Sequence, residues 1–507
     1  MATTNLNRLP RQFQPLTSQY VKELEEDRNR NPFIEVNESI YLLARLAVVI
    51  FLVSMIYLGV TSRDAAPNMP LRLLVASLRL LVVTLPLWCK IKGIGILHPL
   101  YFLSALAFLK TLVPSLYLMA NGVSFHGALP GSSPRQISML QIQILGLSAL
   151  SFACMYAGFF LNKGNGWTFV RFREKNAILF VGAVVALVVG SIALWWIMEM
   201  SGGLSYHLKN ISRGRTKRIW VKDPTYASIY ASFVPLILVP PVLWILKRKG
   251  AFYSPILWTL CIYAAASGYL VSGRRTSAIT NVIAMLACWI LHRKKLALGR
   301  VAIVAMLAFL SVGIIGEFRK SNWRRNQSLD FGAVTESSVN DSLAKSWEAI
   351  SERKKGSAAY PIIAKVPEKE PFRYGAIYLS YFNRFIPRII WPNKPNGVGV
   401  ECAYVFYGRV EQGGIPPGGV GEAYWSAGVF GVVVVFFIWG FVLRCIANFF
   451  LKFHKSAPAV LLYLATLTKL GPSEPQFRAW LFLVVPAAML LALAGIIQFR
   501  PAKRSSS

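Results

Sequence analysis

The segment GAVVALVVGSIALWWIM, residues 182–198, decides the fold class because it contains no charged residue. A second segment, GVFGVVVVFFIWGFVL at 428–443, is equally apolar. A membrane-spanning helix needs about 20 mainly apolar residues, and the whole chain is 55% hydrophobic with only 15% charged residues. Soluble domains carry about 25% charged residues, so the sequence predicts an all-α polytopic integral membrane protein.

Apolar runs of this kind recur along the chain and predict about twelve transmembrane helices. The expected spans lie near 41–60, 71–88, 97–120, 140–161, 177–199, 225–246, 252–272, 276–292, 299–317, 422–447, 457–470 and 480–498.

Basic residues between the spans indicate the orientation. They cluster in alternate short connections, such as KRK at 247–249 and RKK at 293–295. Cytoplasmic loops carry an excess of Lys and Arg, so both termini are predicted to be cytoplasmic. The chain then divides into a cytoplasmic N-terminal tail (1–40), a membrane bundle (41–317) with a basic outer loop (200–224), a long outer loop (318–421), and C-terminal membrane helices with a short cytoplasmic tail (422–507).

Anchoring of the inner loops is the simplest explanation of a net charge of +33. A nucleic-acid partner is not expected, because no basic patch with interleaved aromatic residues lies in a soluble domain. The six cysteines show neither CxxC spacing nor a cluster, so no disulfide framework and no zinc site are expected. Motifs for a metal-held diphosphate, a P-loop and a Ser-centred triad are also missing from the sequence.

The outer stretch RFIPRIIWPNKP, residues 384–395, is cationic and broken by prolines. It contains Arg384, Arg388 and Lys394. Translocating basic residues opposes the insertion bias, and the planar fork of Arg matches phosphate oxygens. We therefore expect this stretch to form a broken segment or turn that binds a phosphate, with contact to lipid headgroups as the alternative.

The stretch EQGGIPPGGVGEAYWSAGVFG, residues 411–431, places Glu422 at the mouth of a span behind a glycine-rich loop. The glycines permit a tight turn and close approach of the backbone. Glu422 is a candidate catalytic carboxylate. The alternative is an acid that only stabilises a helix N-terminus.

Other outer residues complete the candidate set. His207, in SGGLSYHLKNISRGR at 201–215, is a candidate base, although a lone histidine is more often a polar contact. The further cations expected outside are Arg213, Arg215, Arg218, Arg274, Arg275 and Arg478.

These stretches, in this order, resemble the Wzy-type O-antigen polymerases, a family of bacterial oligosaccharide repeat-unit polymerases. The resemblance covers roughly 200–480, and the residues that carry it are Gly202–Gly203 with the following arginines, Arg274 and Arg275, Ile386–Lys394, Gly418–Gly431, and Arg478.

The resemblance implies a metal-independent glycosyltransferase, without cofactor, at the outer face of the bacterial inner membrane. Its substrates would be polyprenyl-diphosphate-linked oligosaccharides, and membrane lipids, a chain-length regulator and a flippase would be its other partners. The arginines, Arg388 among them, would stabilise the leaving diphosphate. Glu422 or His207 would orient or deprotonate the acceptor hydroxyl. An O-antigen ligase and a transporter of polysaccharide or lipid-linked oligosaccharide are the alternative functions.

Overall fold

The computed structural model describes residues 38–61, 68–89, 97–108, 133–162, 170–173, 175–213, 230–247, 254–272, 275–293, 359–383, 386, 390–408 and 414–499. The expected span near 299–317, most of the N-terminal tail and the first part of the long outer loop lie outside these residues.

The described chain is helical apart from one two-stranded sheet. The helices are α1 Glu38–Thr61, α2 Met69–Trp88, α3 Pro99–Phe108, α4 Pro134–Leu161, α5 Asn176–Met200, α6 Leu204–Arg213, α7 Val239–Lys247, α8 Pro255–Ser272, α9 Arg275–Arg293, α10 Ala359–Lys365, α11 Ala376–Asn383, α12 Val398–Tyr407, α13 Gly418–Phe453, α14 Ala457–Lys469 and α15 Glu474–Leu493. The strands are β1 Val170–Phe172 and β2 Ile497–Phe499, and a 3-10 helix, Val234–Leu238, precedes α7.

Several helices have the length and composition of membrane spans. Within the described ranges, five segments qualify: Pro134–Leu161, Asn176–Met200, Tyr230–Lys247, Gly418–Phe453 and Glu474–Leu493. Large apolar side chains stay exposed on these helices, as Phe180, Val184 and Val188 do on α5, which suits contact with lipid. The prediction of a helical protein is confirmed, and its apolar helices are compatible with a membrane protein.

Prolines interrupt the span that begins at Tyr230. Pro240 and Pro241 have no N–H, so the carbonyls of Leu236 and Ile237 cannot receive the usual α-helical hydrogen bonds. The backbone before these prolines forms the 3-10 helix Val234–Leu238, in which each N–H donates to the carbonyl three residues earlier. In its described part, from residue 230 on, the apolar run near 225–246 therefore consists of a short α-helical stretch at 230–233, the 3-10 helix and α7.

Helices α4 and α13 pack closely because a glycine of each helix lies against the backbone of the other. A Cβ added at Gly440 would lie 2.0 Å from the Met155 carbonyl oxygen, and one added at Gly158 would lie 2.0 Å from the Phe437 carbonyl oxygen. Small residues allow such close backbone approach between membrane helices. The Asn162 side-chain amide also donates to the Phe441 carbonyl at 3.1 Å.

Helix α13 is broken at Ala427 and Gly428, where φ/ψ are −161°/36° and 62°/−143°. The break leaves the carbonyls of Trp425 and Ser426 without their helical donors. The backbone N–H groups of Arg373 and Tyr374 bond these carbonyls at 3.0 and 2.8 Å. Residues 418–426 thus form a short N-terminal half-helix of α13, held at its end by the segment between α10 and α11.

The sheet joins two distant parts of the chain. Strands β1 and β2 pair antiparallel, with Val170 opposite Phe499 and Phe172 opposite Ile497. The connection after α4 and the residues after α15 therefore lie at the same end of the structure.

Candidate functional site

The half-helix 418–426 positions Glu422, and its glycines explain the position. Gly418 has φ +79°, in the region that favours glycine. A Cβ on Gly419 would lie 3.0 Å from Pro472, and one on Gly421 would lie 3.2 Å from the Ala359 Cβ. The first turn of α13 therefore lies against both α10 and the loop before α15, as the glycine-rich sequence predicts. The helix begins at Gly418 rather than near 422.

The Glu422 carboxyl is fully buried. Its Oε2 accepts hydrogen bonds from the Tyr381 hydroxyl of α11 and from the backbone N–H of Glu474, the latter at 2.9 Å. Glu474 is the first residue of α15, whose preceding Ser473 makes no capping bond from its side chain to the helix backbone. Glu422 thus caps the N-terminus of α15, a helix other than its own.

Tyr381 is held by packing as well as by its hydroxyl. Its ring lies 5.4 Å from the ring of Phe477 on α15 and 5.3 Å from that of Tyr378. Burial, and then the neighbouring Glu422, raise the pKa of the Tyr381 phenol. Tyr381 consequently stays protonated and acts as the donor in its bond to Glu422.

Other polar atoms beside Glu422 have no hydrogen-bond partner among the described residues. They are Glu422 Oε1, the Tyr378 hydroxyl, Trp425 Nε1 and Ser426 Oγ, all buried. Glu422, Trp425 and Ser426 follow the i, i+3, i+4 spacing of one helix face, and Tyr378 interacts electrostatically with Glu422. Buried polar groups are nearly always hydrogen-bonded in native proteins, so this group, here named the Glu422 site, is suited to a polar ligand.

Two arginines flank the Glu422 site. The Arg478 guanidinium lies 3.9 Å from the Glu474 carboxylate, and its side chain is 49% exposed. Arg373 lies with its guanidinium 5.3 Å from the centre of the Trp425 ring and is paired with Glu401. Each of these arginines is paired with a carboxylate, so two ion pairs flank the Glu422 site.

His207 is also buried, but in a different part of the molecule. Its Nε2 lies 2.7 Å from the Leu270 carbonyl of α8, so Nε2 carries the proton and donates. Nδ1 has no hydrogen-bond partner among the described residues. Burial lowers the pKa of the imidazole, and the bond to Leu270 opposes this. The hydrogen bond of His207 is made to α8, whereas those of Glu422 are made to α11 and α15.

The expected cations are placed unevenly. Lys394 donates from Nζ to the Ile386 carbonyl at 2.7 Å. The described residues from 386 to 397 form bends and turns after α11 ends at Asn383, as predicted for this proline-broken stretch. Arg213 ends α6 and Arg275 begins α9. The rest lie outside the described residues: Arg215, Arg218, Arg274, Arg384 and Arg388.

Sequence reasoning missed Tyr378, Tyr381 and Arg373. Tyr378 and Tyr381 are three residues apart in AIYLSYFN, so they share a helix face, and that spacing was the available signal. Arg373 has no comparable signal, because its importance arises from the break in α13.

Metal ligands are not grouped in the part of the chain that the structure describes: no three His, Cys, Asp or Glu side chains come together in a way that could hold an ion.

Comparison with known families gives one match. Residues 233–452 match the family model described as Domain of unknown function (DUF8712). The matched range includes Glu422, Tyr381 and Arg373, and excludes His207 and Arg478. No match was found among curated proteins or among solved structures.

Proposed function

We propose that this chain is an oligosaccharide repeat-unit polymerase, a metal-independent glycosyltransferase of the bacterial inner membrane. It would join polyprenyl-diphosphate-linked oligosaccharides into a surface polysaccharide at the outer face of the membrane. Glu422 would contact the acceptor hydroxyl.

The observation that carries the proposal is that the two oxygens of Glu422 differ in their hydrogen bonds. Oε2 is bound by Tyr381 and by the α15 N-terminus, whereas the buried Oε1 has no hydrogen-bond partner among the described residues. A carboxyl group held in this way is oriented before a ligand arrives. Such preorganisation is what a positioned catalytic group requires.

The reaction balances without a metal. The acceptor hydroxyl oxygen forms a bond to the anomeric carbon of the growing glycan, and the bond from that carbon to the diphosphate breaks. The diphosphate leaves with the electron pair, and Arg388 and the other outer arginines stabilise its charge. The hydroxyl proton passes to Glu422 if Glu422 is the base, and to the leaving diphosphate if Glu422 only positions the hydroxyl.

The proposal includes the finer topology of about twelve spans with both termini cytoplasmic. Two features of the structure support it. The β1–β2 pair joins the predicted inner connection after α4 to the residues after α15, which are also predicted to be inside. The Glu422 site brings together α11, from the predicted outer loop, and the predicted outer ends of α13 and α15.

The test compares polymer formation by purified variants in liposomes supplied with lipid-linked repeat units. Glu422→Gln keeps an oxygen that can accept from the Glu474 N–H, so we expect normal folding. If the carboxylate is the base, activity falls by about 10²–10⁴-fold. The matched control is Glu368→Gln, which changes an exposed acid of the predicted outer loop 318–421 and keeps full activity. Near-normal polymerisation by Glu422→Gln removes Glu422 from the mechanism and makes His207 the next residue to test.

A deletion strain separates the alternatives. Single repeat units on lipid A indicate a polymerase, whereas naked lipid A core with polymer retained on its lipid carrier indicates a ligase. Lipid-linked units retained on the cytoplasmic face indicate a transporter.

A further inference from the structure

A second polar cluster lies away from the Glu422 carboxyl, where α2 packs on α4 and α10 interacts with both. Arg72 of α2 is only 7% exposed, and its Nη1 has no hydrogen-bond partner among the described residues. A buried guanidinium cannot lose its charge, and α2 covers the predicted span near 71–88, where a cation would be costly to insert. Apolar packing around Arg72 therefore does not explain why a charged group is buried there with a nitrogen that has no partner among the described residues.

Arg79 extends the cluster by two helical turns. Arg72 and Arg79 are seven residues apart and so share one face of α2. Arg79 Nε donates to Ser148 Oγ of α4 at 2.9 Å. The opposite face of α2 carries exposed leucines, among them Leu74 and Leu78, so the arginine face points into the bundle.

Two further polar side chains come from α4 and α10, and the first, Gln141, is seven residues before Ser148 and so lies on the same face of α4. Gln141 of α4 is 5% exposed, and its Nε2 has no hydrogen-bond partner among the described residues. Tyr360 of α10 interacts electrostatically with both arginines: burial raises the pKa of its phenol to about 12, while Arg72 and Arg79 oppose that rise.

The cluster contains donors and positive charge but no acid. The sequences of α2, α4 and α10 contain neither Asp nor Glu. None of the ion pairs recorded between described residues involves Arg72 or Arg79. A site with two guanidinium groups and an amide donor matches the oxygens of a phosphate or diphosphate.

We propose that Arg72, Arg79, Gln141 and Ser148 form an anion-binding site that takes the phosphate or diphosphate group of a lipid. The site does not require that the chain is a glycosyltransferase, because it rests only on the chemistry of these side chains. The lipid source is either a prenyl diphosphate or a phospholipid headgroup, and the same phosphate chemistry serves both.

The experiment measures binding of farnesyl diphosphate to the purified full chain in detergent. Arg72→Gln and Arg79→Gln keep donors and remove the charge, so we expect the dissociation constant to rise about 10–100-fold in each. Arg45→Gln is the matched control, since Arg45 is a half-buried arginine of α1 whose Nε bonds the Leu87 carbonyl at 2.8 Å. Equal affinity in all four proteins overturns the proposal.

A measurement on the wild-type chain covers the case in which a variant does not fold. A photoactivatable prenyl diphosphate should cross-link to peptides from α2, α4 or α10. Cross-links confined to other peptides overturn the proposal.

The lipid source is decided in nanodiscs. The affinity of the wild type for farnesyl diphosphate is measured in nanodiscs of phosphatidylglycerol and in nanodiscs of phosphatidylcholine. If the affinity is lower in phosphatidylglycerol, this lipid competes and the site accepts a phospholipid headgroup. If it does not compete, the site is selective for the prenyl diphosphate. Failure of Glu422→Gln to affect polymerisation would leave this result unchanged, so the two proposals fail independently.

Discussion

The Glu422 carboxyl connects three helices through a single oxygen atom, because Oε2 accepts from α11 and from the N-terminus of α15 while the residue itself belongs to α13. Glu422 therefore caps a helix, α15, and its catalytic role stays a prediction that this contact does not exclude, because the two tasks would use different oxygens. One oxygen performs the structural task and the other remains available. Variants must be chosen to affect one oxygen's contacts at a time.

Tyr381→Phe removes one donor from Oε2 and keeps the aromatic packing on Phe477. We expect the free energy of unfolding to fall by about 1–2 kcal/mol. We also expect polymer formation to fall about tenfold or more, because the carboxyl group is less well oriented. Tyr404→Phe, at a tyrosine that is 62% exposed, should change neither quantity. Full activity with Tyr381→Phe would show that Tyr381 does not orient the site.

The burial of His207 predicts that the protein is less stable at acidic pH. Its folded-state pKa is lowered by burial, and its unfolded-state pKa is about 6.5. As the pH falls below about 6.5, the unfolded state binds the proton first, so stability is lost on acidification. His207→Gln keeps a donor for Leu270 and should show a smaller decrease in Tm between pH 7.5 and 5.5.

His454→Gln is the control for that measurement, because His454 lies just after α13 ends and its Nδ1 lies 3.0 Å from the Leu451 carbonyl of the same helix, far along the chain from His207. It should retain the wild-type pH dependence. The same pH dependence in His207→Gln as in the wild type would show that His207 titrates normally.

At the scale of elements, the contact between α4 and α13 fixes the part of α13 that follows the half-helix 418–426, and so helps to position the Glu422 site. The closeness of these helices depends on glycines rather than on large side chains interlocking. The break at Ala427 and Gly428 then turns the half-helix 418–426 toward α10 and α11. Both features are properties of the backbone. A substitution near either of them would therefore affect the Glu422 site by moving a helix.

Gly440→Ala tests this packing. The added methyl group would overlap the Met155 carbonyl oxygen, so α4 and α13 must separate, and we expect a loss of about 1–3 kcal/mol and a lower Tm. Gly182→Ala is the matched control, because a Cβ at Gly182 of α5 meets nothing within 4 Å. It should be neutral or stabilise by up to about 1 kcal/mol. Equal Tm values for both variants would show that the helix contact is looser than described.

At the scale of the whole molecule, topology decides whether the Glu422 site faces outward. Alkaline phosphatase is active only outside the cytoplasm. A fusion near residue 360, in the predicted outer loop, should be active, and a fusion near residue 294, in a predicted inner connection, should be silent. The reverse pattern would overturn the orientation and the proposed function together.

A fusion after residue 500 tests the sheet. Since β1 pairs with β2, the C-terminal end must lie on the same side as the connection after α4. Fusions at residue 500 and within 163–169 should therefore give the same result, and opposite results would contradict the pairing.

By itself, the sequence determines that the protein is helical and where most of the described apolar helices lie, because hydropathy and turn residues are local properties. Helix α14 was expected near 457–470 and is Ala457–Lys469, and α8 was expected near 252–272 and is Pro255–Ser272. The bounds were wrong where polar residues join an apolar helix. Helix α15 begins at Glu474 rather than near 480, since Ser473, Glu474 and Pro475 suit the start of a helix.

Only the tertiary structure decided what surrounds Glu422. Its glycine-rich approach and its place at a helix mouth are visible in the sequence. Its partners Tyr381 and Glu474 are 41 and 52 residues away, and no local pattern links them. The same holds for Arg72: that its buried Nη1 has no hydrogen-bond partner among the described residues is apparent only once α2 and α4 pack together. Contacts between distant residues depend on how helices pack, and helix packing is a property of the folded chain as a whole.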